Sequence, residues 1–381
     1  MINHKSASAW VIGLALFSMF FGSGNLIFPI IVGKHAEGMY LIGTMGFVIT
    51  AVLLPFAGVL TMVIFKGDYT RFFSILGKPL GFLFTFLLLS FWIPLGSGPR
   101  CITLAFAAVK TYVPFLPLVV FSAIYSLAVF FMTYTESRVI TILGKVLTPL
   151  LLLSLAVVVG AGVYFSPGLA QVDHEAIQVF THALIEGYNT QDLIASFFFS
   201  SAVIHILSHA PQEEGVTVRK SHLKLVLQAS LIGIGILATV YLGLLYMGAT
   251  YSAVLQETSK DSLLSQLSLY LLGPHMAFVP VIAIALACVS TSVALALVFT
   301  NFIKEVVFRD KISHVWALTM TTVVTFAMSL LGFEGISKVL GAAMQVLYPG
   351  LIGLMIVNLA IQCFRSKKNF VEVSQVEQNA A

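Results

Sequence analysis

Almost the whole chain consists of apolar runs long enough to cross a bilayer, and that feature removes most of what 381 residues could fold into. Ten runs separate at polar or Pro/Gly-rich breaks, near 8–33, 39–65, 79–109, 115–135, 139–165, 179–209, 222–251, 277–303, 314–331 and 335–363. Each exceeds or approaches the roughly 20 residues that a helix needs to span the hydrocarbon core. A membrane β-barrel would instead alternate apolar and polar residues over segments of about ten. Only 9% of the residues are charged and 59% are hydrophobic, so this chain cannot clothe a soluble domain of its size. Disordered, nucleic-acid-binding and disulfide-stapled secreted classes are excluded on the same ground. Cys101, Cys288 and Cys363 lie far apart without CxxC or CxxH spacing and read as small apolar fillers. The expected fold class is an all-α polytopic membrane protein with ten transmembrane helices.

The first run is too long for a signal-peptide core and carries Gly24, Asn25 and Pro29 internally, so it is expected to remain as a span. Lys and Arg positions then orient the chain. With both termini cytoplasmic, fifteen of the twenty basic residues fall inside and four (Lys34, Lys110, Lys260 and Lys338) outside; Arg100 alone sits within a span. Two outer connections, 166–178 and 252–276, are longer than turns, and the Leu-rich stretch 263–272 reads either as an amphipathic helix on that face or as a plain connection. The polar stretch 365–381 is expected to be a disordered cytoplasmic tail.

Ten spans divide into two repeats of five with opposite orientation, 1–165 and 166–364. Span 6 carries Ser196 to Ala202, whose serine, aromatics and small residues match Ser18 to Gly24 of span 1. Interrupted helices at corresponding places in two halves mark the binding site of a secondary transporter. In span 1 the cause of an interruption is visible: Gly22, Ser23 and Gly24 are poor helix formers, and Pro29 leaves the Asn25 carbonyl without its partner. A half-helix beginning near Asn25 would aim its N–H groups at the midplane, an anion site suited to a carboxylate. The half-helix ending near Phe21 would aim carbonyls at the same level, which suits a cation. A glycine-mediated kink is the structural alternative.

At FSMFFGSGNLIFP (Phe17 to Pro29) the chain resembles the bacterial branched-chain amino acid:cation symporter family, the BrnQ type. The likeness continues through Gly98 to Arg100, Glu186 to Asp192 and Ser196, Ala287 to Ser292, and Leu347 to Pro349, so it covers nearly the whole chain. The resemblance implies the inverted-repeat leucine-transporter (LeuT) architecture, broken helices 1 and 6, and import of leucine, isoleucine or valine with sodium. It places the protein in a bacterial inner membrane. It also implies a sodium site made of the Ser290 and Thr291 hydroxyls with backbone oxygens of Ser18, Phe21 and Ala287. The alternative for these hydroxyls is back-bonding to the preceding helical turn. Members usually carry twelve spans against the ten found here. Where they commonly show Gly-Tyr-Leu-Thr-Met-Asp, this chain has Asn189 and Gln191 in place of the apolar pair.

Substrate candidates are Gly22, Ser23, Gly24 and Asn25 at the first break and Asp192, Ser196, Phe199 and Ser200 in span 6, with Phe199 covering an aliphatic side chain. Asp192 is the one acid clearly within a span, where it is costly without a partner. It reads as a ligand for the substrate ammonium or a coupling ion, and also, with Asn189, as a capping start to a half-helix. Arg100 follows Gly96 to Pro99 and reads either as an outer gate paired with Asp192 or as a side chain snorkelling to the headgroups. His205 and His209 have helical metal spacing but no third ligand. No nucleotide-binding, zinc-protease or Ser-His-Asp pattern is present, so no enzyme activity and no cofactor beyond the coupling ion is expected. A proton-coupled transporter of another small neutral amino acid, with Asp192 carrying the proton, is the near alternative. A channel or substrate-sensing receptor is the distant one, and would call for a continuous polar stripe.

Overall fold

The computed structural model describes residues 9–135, 143–169, 174–208, 218–276 and 278–379, and among these every regular element is helical. Six stretches are long and apolar enough to cross a membrane: Ser23–Ile64, Lys78–Lys110, Leu143–Tyr164, Leu223–Thr250, Phe278–Val307 and Gly332–Gln362. Ala9–Phe20 and Leu118–Thr133 are shorter apolar helices.

Helices α1 (Ala9–Phe20) and α2 (Ser23–Ala36) fill the first apolar run and are separated at Phe21 and Gly22. Gly22 is extended, with φ −116° and ψ −156°, and its N–H is held by the Asn25 side chain at 3.0 Å. The glycines thus set the break, while Pro29 lies inside α2 without ending it. Next come α3 (Tyr40–Val48) and α4 (Leu54–Ile64), joined by a wide π turn at 49–53. A short α5 (Tyr69–Phe73) precedes α6 (Lys78–Trp92) and α7 (Gly98–Lys110). Pro94 lies within the π turn Ile93–Ser97 between α6 and α7 and Pro99 just after it, where the glycine-rich stretch was expected to disturb the helix. α8 (Leu118–Thr133) and α9 (Thr148–Tyr164) close the first half.

The second half opens with α10 (Ala176–Asn189) and α11 (Asp192–Ser208), parted at Thr190 and Gln191. α12 (Val218–Thr250) follows. The connection 252–276 holds α13 (Leu263–Met276), so the Leu-rich stretch is helical; Leu263, Leu264 and Leu267 are buried while Tyr270 is exposed, an amphipathic pattern. α14 (Phe278–Asn301), α15 (His314–Ser329) and α16 (Gly332–Asn379) complete the chain. α16 carries its helix through Asn379, where a disordered tail was expected from 365 onward.

The packing has a reciprocal pattern. α12 runs along both halves of the first broken helix, α1 and α2. In the same way α3 and α4 run along α10 and α11, the halves of the second. α9 packs on α14 while α16 packs on α6 and α7; α8 packs on α14 while α15 packs on α7 and its π turn. Close approach in the α2–α12 seam needs bare backbone: a Cβ added at Gly33 would strike the Leu245 carbonyl, and one at Gly248 the Ile30 carbonyl. The innermost layer is α1, α11 and α14. Phe197, Phe198 and Phe199 are all buried there rather than turned to lipid, packed against Phe72, Phe73 and Trp92.

Candidate binding site at the two helix breaks

The two breaks meet. A small enclosed space of about 20 Å³ lies between them, bounded by Gly22 to Asn25, Thr190 to Asp192, Arg100, Phe199 and Thr291 among others. It admits about one water-sized sphere, so an amino acid would enter only if the surrounding helices part.

The second break falls at Thr190 and Gln191, not at Ser196 to Ser200. Gln191 has φ +62°, left-handed for a residue with a Cβ, and the Thr190 hydroxyl donates back to the Gly187 carbonyl at 2.8 Å. Asp192 then opens α11, where the helix dipole favours a carboxylate. Ser196 and Ser200 lie within continuous helix, donating to the Leu193 carbonyl at 2.9 Å and the Ser196 carbonyl at 2.5 Å, and neither lines the space. The matched Ser18 and Ser196 runs are therefore not structural equivalents: the breaks are offset from that register by about two and a half turns. Phe199 does line the space, with its ring 6.1 Å from Phe20 and 5.7 Å from Trp92.

Asp192 ties the breaks together. It is 2% exposed, and the Asn25 amide donates to its two oxygens at 2.8 and 2.9 Å. The Tyr241 hydroxyl on α12 donates to the same carboxylate and also meets the Asn25 amide. Asn189 does not cap α11; its amide turns back to Glu186 at 3.0 Å. Asn25 thus works twice, its oxygen stopping α2 at Gly22 and its nitrogen holding Asp192.

Arg100 does not snorkel. It is 6% exposed, its Nε donates to the Ser23 hydroxyl at 3.1 Å, and its guanidinium lies over Phe28 at 5.5 Å from the ring centre. A Cβ on Gly24 would fall 2.6 Å from one terminal nitrogen, so the glycine clears the space for it. Arg100 and Asp192 border the same space, yet they form no ion pair: among the described residues pairs within 4.0 Å are His182 with Glu186 and Lys304 with Asp310.

On the far side of the first break, α14 meets the end of α1. The Ser290 hydroxyl lies 3.0 Å from the carbonyls of both Ser18 and Ala287, and the Thr291 hydroxyl 3.1 Å from that of Met19 and 3.4 Å from that of Ser18. The Ser18 hydroxyl is buried without a hydrogen-bond partner. Two hydroxyls and three carbonyls thus converge, an all-oxygen set of the kind a hard cation takes. Of the neighbouring carbonyls at the end of α1, it is that of Met19, besides that of Ser18, which the Thr291 hydroxyl meets. His205 sits near the inner end of α11, and His209 lies outside the described residues. Sequence reading missed Tyr241, which stands out in neither composition nor spacing; Gln191 was marked as a departure from the family pattern but not as the break.

Two interrupted helices, meeting over a polar space inside an otherwise apolar helical protein, define a transport protein of the broken-helix class. The branched-chain amino acid transport protein family model matches residues 5–377, and the chain belongs to that family. It is accordingly a multi-pass membrane protein. The branched-chain amino acid permease BrnQ of Bacillus subtilis (strain 168) is 28% identical over 370 residues, covering 94% of this chain and 82% of that protein. The fold is similar to that of MHP1, a nucleobase-cation-symport-1 family transporter solved closed with bromovinylhydantoin (TM-score 0.56, 15% identity, 90% of this chain and 76% of that one). It is also similar to that of the Eremococcus coleocola manganese transporter (TM-score 0.57, 15% identity, 91% and 78%). Those two carry such different cargoes that the shared LeuT-like architecture leaves the substrate to be argued from the site.

Proposed function

We propose that the protein is a secondary transporter that imports leucine, isoleucine or valine together with sodium, by alternating access across a bacterial inner membrane. The observation that carries the transport mechanism is the meeting of the two breaks, bound together by Asn25 and Asp192. Aliphatic cargo is supported by the family and by the aromatic wall of Phe20, Trp92 and Phe199 beside the polar helix ends. The reciprocal packing supports ten spans in two inverted repeats of five, 1–165 and 166–364, and the bias of Lys and Arg in the connections supports cytoplasmic termini.

Sodium would be held by Ser290, Thr291 and the carbonyls of Ser18, Met19 and Ala287. One positive charge entering down 100 mV supplies about 2.3 kcal/mol, roughly 50-fold accumulation before any sodium gradient is counted. A second reading has its own support: Asp192 is buried, reaches Tyr241 and Asn25, and could itself load the coupling proton. Leucine uptake by proteoliposomes, under a sodium gradient alone and then a pH gradient alone, separates the two. Sodium-driven uptake is expected; uptake that needs only the pH gradient transfers coupling to Asp192. Thr291→Ala is expected to raise the half-saturating sodium concentration about tenfold, the loss of one ligand to a cation. An unchanged sodium requirement would remove Thr291 from that site.

A further inference from the structure

The guanidinium of Arg100 is in the wrong circumstances for a gate or an anchor to lipid. It is 6% exposed, buried in the middle of the molecule, and only its Nε has a hydrogen-bond partner among the described residues, the Ser23 hydroxyl. Its two terminal amino groups, with four of its five N–H donors, bond no described residue, although Asp192 borders the same space. Leaving charged donors unpaired in a buried place is costly, so a group that stays there without its nearest counter-ion is kept for something else. Neighbouring residues accommodate it: Phe28 stacks beneath it, and Gly24 stands where any side chain would collide with it.

The start of α2 faces the same space, at Ser23 to Asn25, and adds N–H groups and the positive end of a helix dipole. One wall is therefore doubly positive. Asp192 borders the same space and makes its own wall negative, and three hydrogen bonds from Asn25 and Tyr241 fix its orientation. A cation would be repelled by one wall and an anion by the other. A small molecule bearing both charges on adjacent groups satisfies each.

We propose that Arg100 binds the carboxylate of the transported substrate, with Asp192 receiving the ammonium, so that the site selects free zwitterionic α-amino acids and rejects their amides, alcohols and amines. This rests on the transport reading above and adds to it a specificity-determining residue outside both broken helices. A planar guanidinium offers a carboxylate two parallel hydrogen bonds, which an ammonium cannot match.

The test is competition against labelled leucine uptake in proteoliposomes, and thermal stabilisation of the purified full-length protein, with leucine, leucinamide, leucinol and 4-methylpentanoate as probes. Wild type is expected to prefer leucine over leucinamide by about 100-fold, the worth of a charge-assisted pair of hydrogen bonds. Arg100→Gln is expected to bring leucine to within about fivefold of leucinamide while leucinamide itself changes little, and Arg100→Lys to fall between. A folded Arg100→Gln protein with the wild-type leucine-to-leucinamide ratio would overturn the assignment, as would a wild type that takes the amide as well as the acid. Should Arg100→Gln fail to fold, Arg100→Lys and the wild-type panel still decide. If wild type binds no branched-chain amino acid, the cargo reading fails by itself. The stabilisation panel is then run with the twenty amino acids and their amides: a consistent preference for acids retains Arg100, and its absence discards it.

Discussion

Asp192 holds its place through partners contributed by three separate stretches of chain: Asn25 at the first break, Thr190 at the second and Tyr241 on α12. Removing the Tyr241 hydroxyl leaves a buried carboxylate one donor short, and hydrogen bonds to charged groups contribute about 1.5–3 kcal/mol. Tyr241→Phe is expected to weaken leucine binding at least tenfold and lower the melting temperature of the purified protein, since the carboxylate that faces the substrate loses its orientation. An unaltered affinity with a lowered melting temperature would make Tyr241 a structural support alone. At this scale the charged members of the site were legible from sequence because a charge inside an apolar run is conspicuous; hence Asp192 and Arg100 were found. Tyr241 was not, since a single hydroxyl on an aromatic side chain looks the same in sequence whether it packs or binds. Arg100 was found but misplaced, because its depth depends on the π turn and on Gly24, not on its distance from the end of the run.

The two breaks differ in how they are made, and so in how visible they were. The first uses glycine, which has no Cβ penalty and a low helix propensity, and its place could be read to within a residue or two. The second contains neither glycine nor proline. It relies on Gln191 held at φ +62°, a conformation that costs a residue with a side chain on the order of 1–3 kcal/mol and persists because the surroundings impose it. No pattern in the sequence announces that, and the serines and phenylalanines further along drew attention instead. Gln191→Gly is expected to raise the melting temperature, relieving about 1 kcal/mol of strain. Gln191→Pro is expected to abolish uptake, because its ring fixes φ near −65° and removes the N–H that donates to the Tyr188 carbonyl. If uptake and melting are indifferent to both changes, the left-handed turn is not what separates α10 from α11.

Several helix–helix contacts of the first part of the chain recur in the second with the partners exchanged, a pattern that no single motif provides. α12 supports the first broken helix as α3 and α4 support the second, and the pairs α9–α14 and α16–α7 exchange in the same way. The all-helical, membrane-spanning character was readable from sequence, since it depends on the length of the apolar runs alone. Which span lies beside which was not, because pairing depends on long-range contacts such as the Gly33 and Gly248 seam. The proposed topology has a direct consequence for accessibility. Gly38, Glu257 and Lys311 are exposed and lie between consecutive helices, and Lys78 is exposed at the start of α6. Cysteines placed singly at these positions, with Cys363 replaced and the buried Cys101 and Cys288 kept, report the side on which each lies. Gly38→Cys and Glu257→Cys are expected to react with an impermeant maleimide in intact cells, and Lys78→Cys and Lys311→Cys only after the membrane is opened. The stretch Ser23–Ile64 decides between counts, because it is continuous enough to be taken for one long apolar unit. Labelling of Gly38→Cys from outside and Lys78→Cys from inside requires that α2 and α3 lie in two different crossings, as five spans per half demand. Protection of Gly38→Cys from both sides would merge them into one, invert the second half relative to its loop charges, and remove the inverted repeat on which the transport mechanism is built.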